Sequence, residues 1–165
     1  MTFVAIDFET ANRYSNSACA LGLVRVEDDA IVEKAAYYIR PPYRTFEFTN
    51  IHGITWDDVS DATNFRELWA EIHPVFRGAD FLVAHNAPFD RRVMKSCFEY
   101  YGIPDPEFEF KCTVRLSRTI LGIKPANLPN VCRELGIGLR HHDAGSDSEA
   151  CARIMMEILR KENAV

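Results

Sequence analysis

Acidic residues close or open the apolar segments of this chain at three separated places, so a fold must bring each of them to the rim of a buried core. Asp7-Phe8-Glu9 ends the first apolar run, His85-Asn86-Ala87-Pro88-Phe89-Asp90 follows a later one, and His142-Asp143-Ala144-Gly145-Ser146-Asp147 leads into the last helical segment. Residues two apart on a strand share a face, roughly 6.5 Å apart from a rise of about 3.3 Å per residue, so Asp7 and Glu9 can converge on one ion. The Asp-x-Glu spacing alone is weak, because Asp105-x-Glu107 and Asp147-x-Glu149 repeat it. Its plain alternative is a polar strand end facing water. Asp90 heads the stripe Val93, Met94, Cys97, Phe98 and Tyr101, and Asp147 heads Ala150, Cys151, Ile154, Met155, Ile158 and Leu159, at spacings of three and four. An acid atop a buried helical stripe points toward a sheet; pairing with the helix N-terminus is the competing use of each.

The intervening pattern predicts a single mixed α/β domain over residues 1–165. Thr2–Asp7, Ala18–Val26 and Ile31–Arg40 read as strands, with Glu27-Asp28-Asp29 as a hairpin turn, so the chain opens on an antiparallel meander. Pro41–Asp61 reads as a loop with a short helix. Asn64–Arg77 is helical by its Phe65, Leu68, Trp69, Ile72 and Phe76 spacing. Asp80–Ala84 is a buried strand, followed by a helix from Pro88 to Tyr101 that Gly102 and Pro104 end. Further helices are predicted at Thr113–Leu121, Leu128–Leu135 and Ser146–Lys161, the last with a Ser146/Glu149 capping box. The order βββ–α–β–α–(β)–α–α predicts one central sheet flanked by helices.

Four carboxylates brought together repel, by about 4 kcal/mol for a pair about 4 Å apart at an effective dielectric of about 20. They must take protons or a cation, and an all-oxygen set selects a hard one, Mg²⁺ or Mn²⁺. Two such ions can stabilise the attacking and leaving oxygens of a displacement at phosphorus. A water nucleophile also benefits from a base that titrates near neutrality. His142, five residues before Asp147, is one candidate, and the adjacent His141 could also serve. A solvent-exposed or capping role is the first reading for His52 and His85.

The three signatures resemble the motifs of the DnaQ-like (DEDDh-type) 3′–5′ exonucleases, including the proofreading epsilon-type domains. Ile6-Asp7-Phe8-Glu9-Thr10 is similar to the first, His85-Asn86-Ala87-Pro88-Phe89-Asp90 to the second and His142-x-Ala144-x-x-Asp147 to the third, a register that favours His142 over His141. Asn50-Ile51-His52-Gly53-Ile54-Thr55 resembles a stretch common between the first two in proofreading members. The resemblance implies a ribonuclease H-like fold whose sheet combines the antiparallel meander with parallel strands. It implies two Mg²⁺ or Mn²⁺ ions, with Asp7, Glu9 and Asp147 holding one, Asp7 reaching the second and Asp90 assisting through water. His142 would deprotonate the attacking water, and Thr10, His52, Asn86 and Phe89 would line the pocket for the terminal nucleotide. Phe89 as core and Asn86 as a helix cap are the alternatives, and Phe8 could stack on a base or be buried. The chain departs from the pattern at Ala11-Asn12-Arg13, where many members carry Thr-Gly, and at Lys111-Cys112-Thr113, where Asp-Thr is frequent.

The implied activity is metal-dependent trimming of a single-stranded 3′ end to nucleoside 5′-monophosphates, with DNA favoured over RNA. A catalytically silent nucleic-acid-binding or interaction module, or a dinucleotide or small-molecule phosphodiesterase, would use the same fold. A net charge of −5 argues against coating of long nucleic acid and is compatible with gripping a strand end. Five scattered cysteines without CxxC spacing, no signal-peptide pattern and no bilayer-spanning run predict a reduced, cytoplasmic protein without a membrane partner. No glutamine occurs, so no Gln-led clamp-docking peptide is expected. Little sequence follows the last helix, so a polymerase partner is unsupported.

Overall fold

The computed structural model describes residues 1–164. Strands β1 (Thr2–Thr10), β2 (Ala18–Glu27) and β3 (Ala30–Tyr38) form the antiparallel meander, and β4 (Phe81–Ala84) and β5 (Phe110–Cys112) add parallel pairs in the order β3-β2-β1-β4-β5. Asp28 and Asp29 turn the second hairpin with φ of 46° and 65°. Left-handed backbone at two central residues matches the right-handed twist of the strands it joins.

The sheet is covered on both faces, so β1 is apolar on both. Val4, Ile6 and Phe8 pack toward α3 (Phe65–Ile72) and α4 (Ala87–Tyr101), through Phe65, Leu68, Val93, Met94 and Phe98. Phe3 and Ala5 pack on the opposite face against α6 (Leu128–Leu135) and α7 (Ala144–Asn163), through Val131, Cys151, Ile154 and Met155. Each of the Val, Leu, Ile, Phe and Met side chains among them stabilises the fold by about 1.5–3 kcal/mol when fully buried. Side chains alternate along a strand, so Asp7 and Glu9 continue the face of Phe3 and Ala5, where α7 lies. Asp90 approaches from α4 on the other side. The strand end is therefore enclosed between two helix N-termini.

Gly22 sets how closely α7 approaches. It stands opposite Asp7 in the β1–β2 register, and a Cβ there would lie 1.9 Å from the Ala144 carbonyl oxygen in the first turn of α7. Gly22→Ala is expected to destabilise the protein by about 3 kcal/mol, because backbone must move to admit the methyl group. A denaturant titration measures this loss, and an unchanged midpoint would show that α7 has slack at this point.

The structure differs from the sequence expectations in detail. β1 runs three residues past Asp7, with a register shift at Glu9/Thr10, so Glu9 belongs to the strand. The Asn64–Arg77 segment is α3 followed by a 3₁₀ turn, His73–Phe76, since Pro74 has no N–H and cannot continue the helix. The 41–61 loop contains two short helices, α1 (Thr49–His52) and α2 (Trp56–Val59), and Thr113–Leu121 divides into α5 (Thr113–Leu116) and a π turn, Ser117–Leu121. The Ser146/Glu149 capping box does not form. Asp143 caps α7 by accepting from the Ser146 N–H at 2.8 Å, Ser146 Oγ accepts from the Arg140 N–H, and Glu149 pairs with Lys34 and Arg153. The five cysteines are free thiols, and no helix among the described residues is long and apolar enough to cross a membrane.

Candidate active site

Asp7 and Glu9 on β1 and Asp147 in the first turn of α7 present carboxylate oxygens within 4.8 Å of one another. Asp90 stands beside them, 2% exposed, its Oδ1 accepting the Phe8 N–H at 2.8 Å. That bond ties the α4 N-terminus to the middle of the acidic strand segment. The Asp147 Oδ2 accepts the His142 N–H at 3.0 Å. Two other oxygens of the cluster, Asp7 Oδ2 and Asp147 Oδ1, are buried with no hydrogen-bond partner. A buried acceptor left unpaired costs about 1–3 kcal/mol, more when charged, so this cluster fits a cation seated among its oxygens.

The electrostatics agree. Burial pushes Asp7 well above the usual carboxylate range, and Asp90, Asp147 and Glu9 push it further. Burial raises Glu9 to about 8, with Asp147 and Asp143 adding repulsion. Asp90 also rises to about 8, mainly by burial, against the opposing pull of the Phe8 N–H. Asp147 is raised by burial, partly offset by the His142 N–H and His141. All four acids are thus poised to exchange protons for a bound divalent cation.

His141 and His142 stack with ring centroids 3.7 Å apart. His141 Nδ1 lies 3.2 Å from Asp147 Oδ2. His142 has left-handed backbone, φ 66°, and burial followed by the neighbouring His141 lowers its pKa from the ordinary 6.5. Both rings line a cavity of about 550 Å³ together with Asp7, Glu9, Asn86, Phe89 and Asp147.

The structure separates the remaining sequence-derived candidates. Asn86 is exposed in the left-handed region, φ 78°, and its side chain caps nothing. Phe89 and Phe8 both border the cavity; Phe89 is half-buried, and Phe8 is 2% exposed with its ring centroid 6.3 Å from that of Phe65. Thr10 is buried. Its carbonyl lies 2.9 Å from His52 Nε2, and His52 Nδ1 accepts the Ile54 N–H at 3.0 Å. Both His52 nitrogens are therefore engaged in holding the loop to β1, and the ring faces an adjoining cavity shared with His141 and His142. His85 bonds Thr113 Oγ1 at 2.8 Å and the Ala126 carbonyl at 2.9 Å. A carbonyl only accepts, so Nε2 carries the proton, and burial lowers the ring pKa to about 4. It is a neutral structural clasp.

Arg118 also lines the cavity, and none of the three signatures includes it. Arg115 and Arg118 are three apart on the Thr113–Leu121 segment that reads as helical, and that spacing was the available signal.

Comparison with known proteins gives the same picture. The model of the family described as Exonuclease matches residues 4–155. The 3′–5′ exonuclease DinG of Bacillus subtilis is 32% identical over 167 residues, covering 96% of this chain and 18% of DinG. The PolC-type DNA polymerase III of Thermotoga petrophila is 27% identical over 162 residues, covering 96% of this chain and 12% of that protein. The chain thus spans a small part of these curated relatives. Among solved structures, exonuclease X in complex with 5′ overhanging duplex DNA superposes with a TM-score of 0.79 at 24% identity, covering 98% of this chain and 93% of that one. E. coli exonuclease I with a dA16 oligonucleotide gives 0.83 at 18% identity, covering 99% and 42%. These neighbours establish the ribonuclease H-like fold. With its acids on β1, α4 and α7 and a histidine before the last of them, the chain belongs to the DEDDh family of 3′–5′ exonucleases.

Proposed function

We propose that residues 1–165 act as one exonuclease domain that hydrolyses the 3′-terminal phosphodiester of single-stranded nucleic acid, preferring DNA, and releases nucleoside 5′-monophosphates. The observation that supports this most is the pair of unpartnered buried oxygens, Asp7 Oδ2 and Asp147 Oδ1, in a cluster where every acid is raised. Asp7, Glu9 and Asp147 would hold Mg²⁺ or Mn²⁺, with Asp7 shared between two ions and Asp90 assisting through water. Bound ions would polarise the phosphate and lower the pKa of attacking water. His142, neutral at physiological pH, takes the water's proton through its ring, while its own N–H keeps Asp147 aimed inward. Arg118 faces the same cavity and offsets phosphate charge. Asn86 and Phe89 contact the terminal nucleotide, and Thr10 and His52 shape the wall behind it.

A 5′-labelled oligonucleotide incubated with Mg²⁺ or Mn²⁺ should shorten stepwise, and chelation should stop the reaction. A labelled strand that stays intact across metals and pH, while the protein remains bound to it, would replace this reading with that of a silent binding module.

A further inference from the structure

Beside the acidic cavity runs a larger groove of about 1000 Å³ between α4, β5 and α5. Its rim carries Arg91, Arg92, Lys95, Lys111 and Arg115, against the acids Glu99, Asp105 and Glu162. In a chain with a net charge of −5, this is a local reversal of sign. Among the described residues, Lys95 alone of these five has an ion pair, to Asp105 at 3.8 Å, and Lys111 Nζ lies 4.1 Å from the Phe81 ring centroid. The floor is apolar, formed by the half-buried Ile103, Phe110 and Leu116. Arg92 lies 5.9 Å from the ring centroid of Phe89, a residue that lines the acidic cavity.

The two hollows share walls. Asn86 and Phe89 face the acidic cavity while Ala87 and Pro88, between them, face the groove. Val114 and Arg118 line the first, and Arg115 and Leu116 the second. A chain whose end lies at Asp7 thus has a direct course over the α4 N-terminus into a trough with charge on its rim and apolar surface on its floor. Single-stranded nucleic acid has the matching chemistry, phosphates for the rim and base faces for the floor.

We propose that this groove holds the segment of single strand lying 5′ to the scissile bond, and so sets the preference for long substrates. The proposal rests on the exonuclease reading, and the two fail separately. The p-nitrophenyl ester of thymidine 5′-monophosphate reaches only the acidic cavity, so its turnover reports the chemistry alone. A dodecamer also engages the groove.

The test compares wild type with the triple variant Arg91→Ala/Lys95→Ala/Arg115→Ala and with Glu99→Lys, each checked for folding by thermal melting. The triple variant should hydrolyse the ester within twofold of wild type while losing roughly tenfold to hundredfold in kcat/KM on the dodecamer at low salt. Its log–log salt slope should flatten by about 2, since each single-strand phosphate contact contributes about 0.7. Glu99→Lys should move dodecamer KM downward and leave ester turnover unchanged. Unaltered dodecamer constants and salt slope in both variants would overturn the proposal, as they would if the groove received an acidic peptide instead. Absence of ester and dodecamer hydrolysis by wild type would instead remove the exonuclease reading on which it rests.

Discussion

Asp7→Ala should abolish 3′-end trimming, with a loss of about 10³-fold or more, since it removes a carboxylate expected to serve both cations and the charge stabilisation they supply in the transition state. The same position offers a second readout, opposite in sign. Glu9 and Asp90 titrate near 8 in the folded protein against ordinary values of 4.5 and 3.8, and Asp7 is raised as well. A carboxyl raised on folding holds its proton more tightly in the folded state, so the metal-free protein loses stability as pH climbs from about 4 to about 8. Asp7→Asn removes one of the repelling charges. It should therefore raise the metal-free melting temperature by about 3–6 °C at pH 8, corresponding to about 1–2 kcal/mol, with little gain near pH 4. Adding Mn²⁺ should stabilise wild type and leave the variant nearly unmoved. Differential scanning calorimetry with and without metal makes both comparisons, and an Asp7→Asn protein that is less stable at pH 8 would show that the acids are already neutralised by some other means.

His142→Ala should lower the turnover rate by about 10²–10⁴-fold, the usual contribution of a positioned general base. Its pKa lies below the ordinary 6.5 because the ring is partly desolvated and faces His141. The neutral form therefore predominates at pH 7, and wild-type turnover should fall only on the acidic side of that value, about tenfold per pH unit. In His142→Ala that acidic limb should disappear along with the rate. His141→Ala keeps the limb, moved toward higher pH because the neighbour that lowers the His142 pKa is gone, and loses about tenfold with the contact that orients Asp147. A pH–rate profile of the three proteins assigns the base. If His141→Ala removes the limb and His142→Ala keeps it, the roles are exchanged.

The acids were legible in the sequence because each interrupts an apolar pattern with a fixed period. Asp90 and Asp147 head stripes that the structure buries against the sheet, and both are almost fully enclosed. The meander and the buried strand Phe81–Ala84 were legible for the same reason. Local hydrogen bonding that competes among equivalent side chains was not. The spacing of Ser146 and Glu149 pointed to a capping box, but Asp143 caps the helix instead, because Ser146 Oγ accepts the Arg140 N–H. His52 illustrates a second limit. Its ring is saturated by Ile54 and Thr10, and the bond to Thr10 is a long-range one that no spacing announces. The grouping of cations was hidden because it depends on α4 lying alongside the continuous β5–α5 segment, a placement visible only once the sheet has set them side by side.

The bare backbone at Gly22 has an outcome beyond stability. The last helix rests directly on the neighbouring strand there, so the jaw that brings Asp147 to Asp7 closes only as far as a hydrogen atom permits. A single methyl group inserted at this hinge would leave every acid in the chain and still part the jaw. A homologue bearing a larger residue at this spot could thus match all the motifs, fold, and bind strands without cutting them.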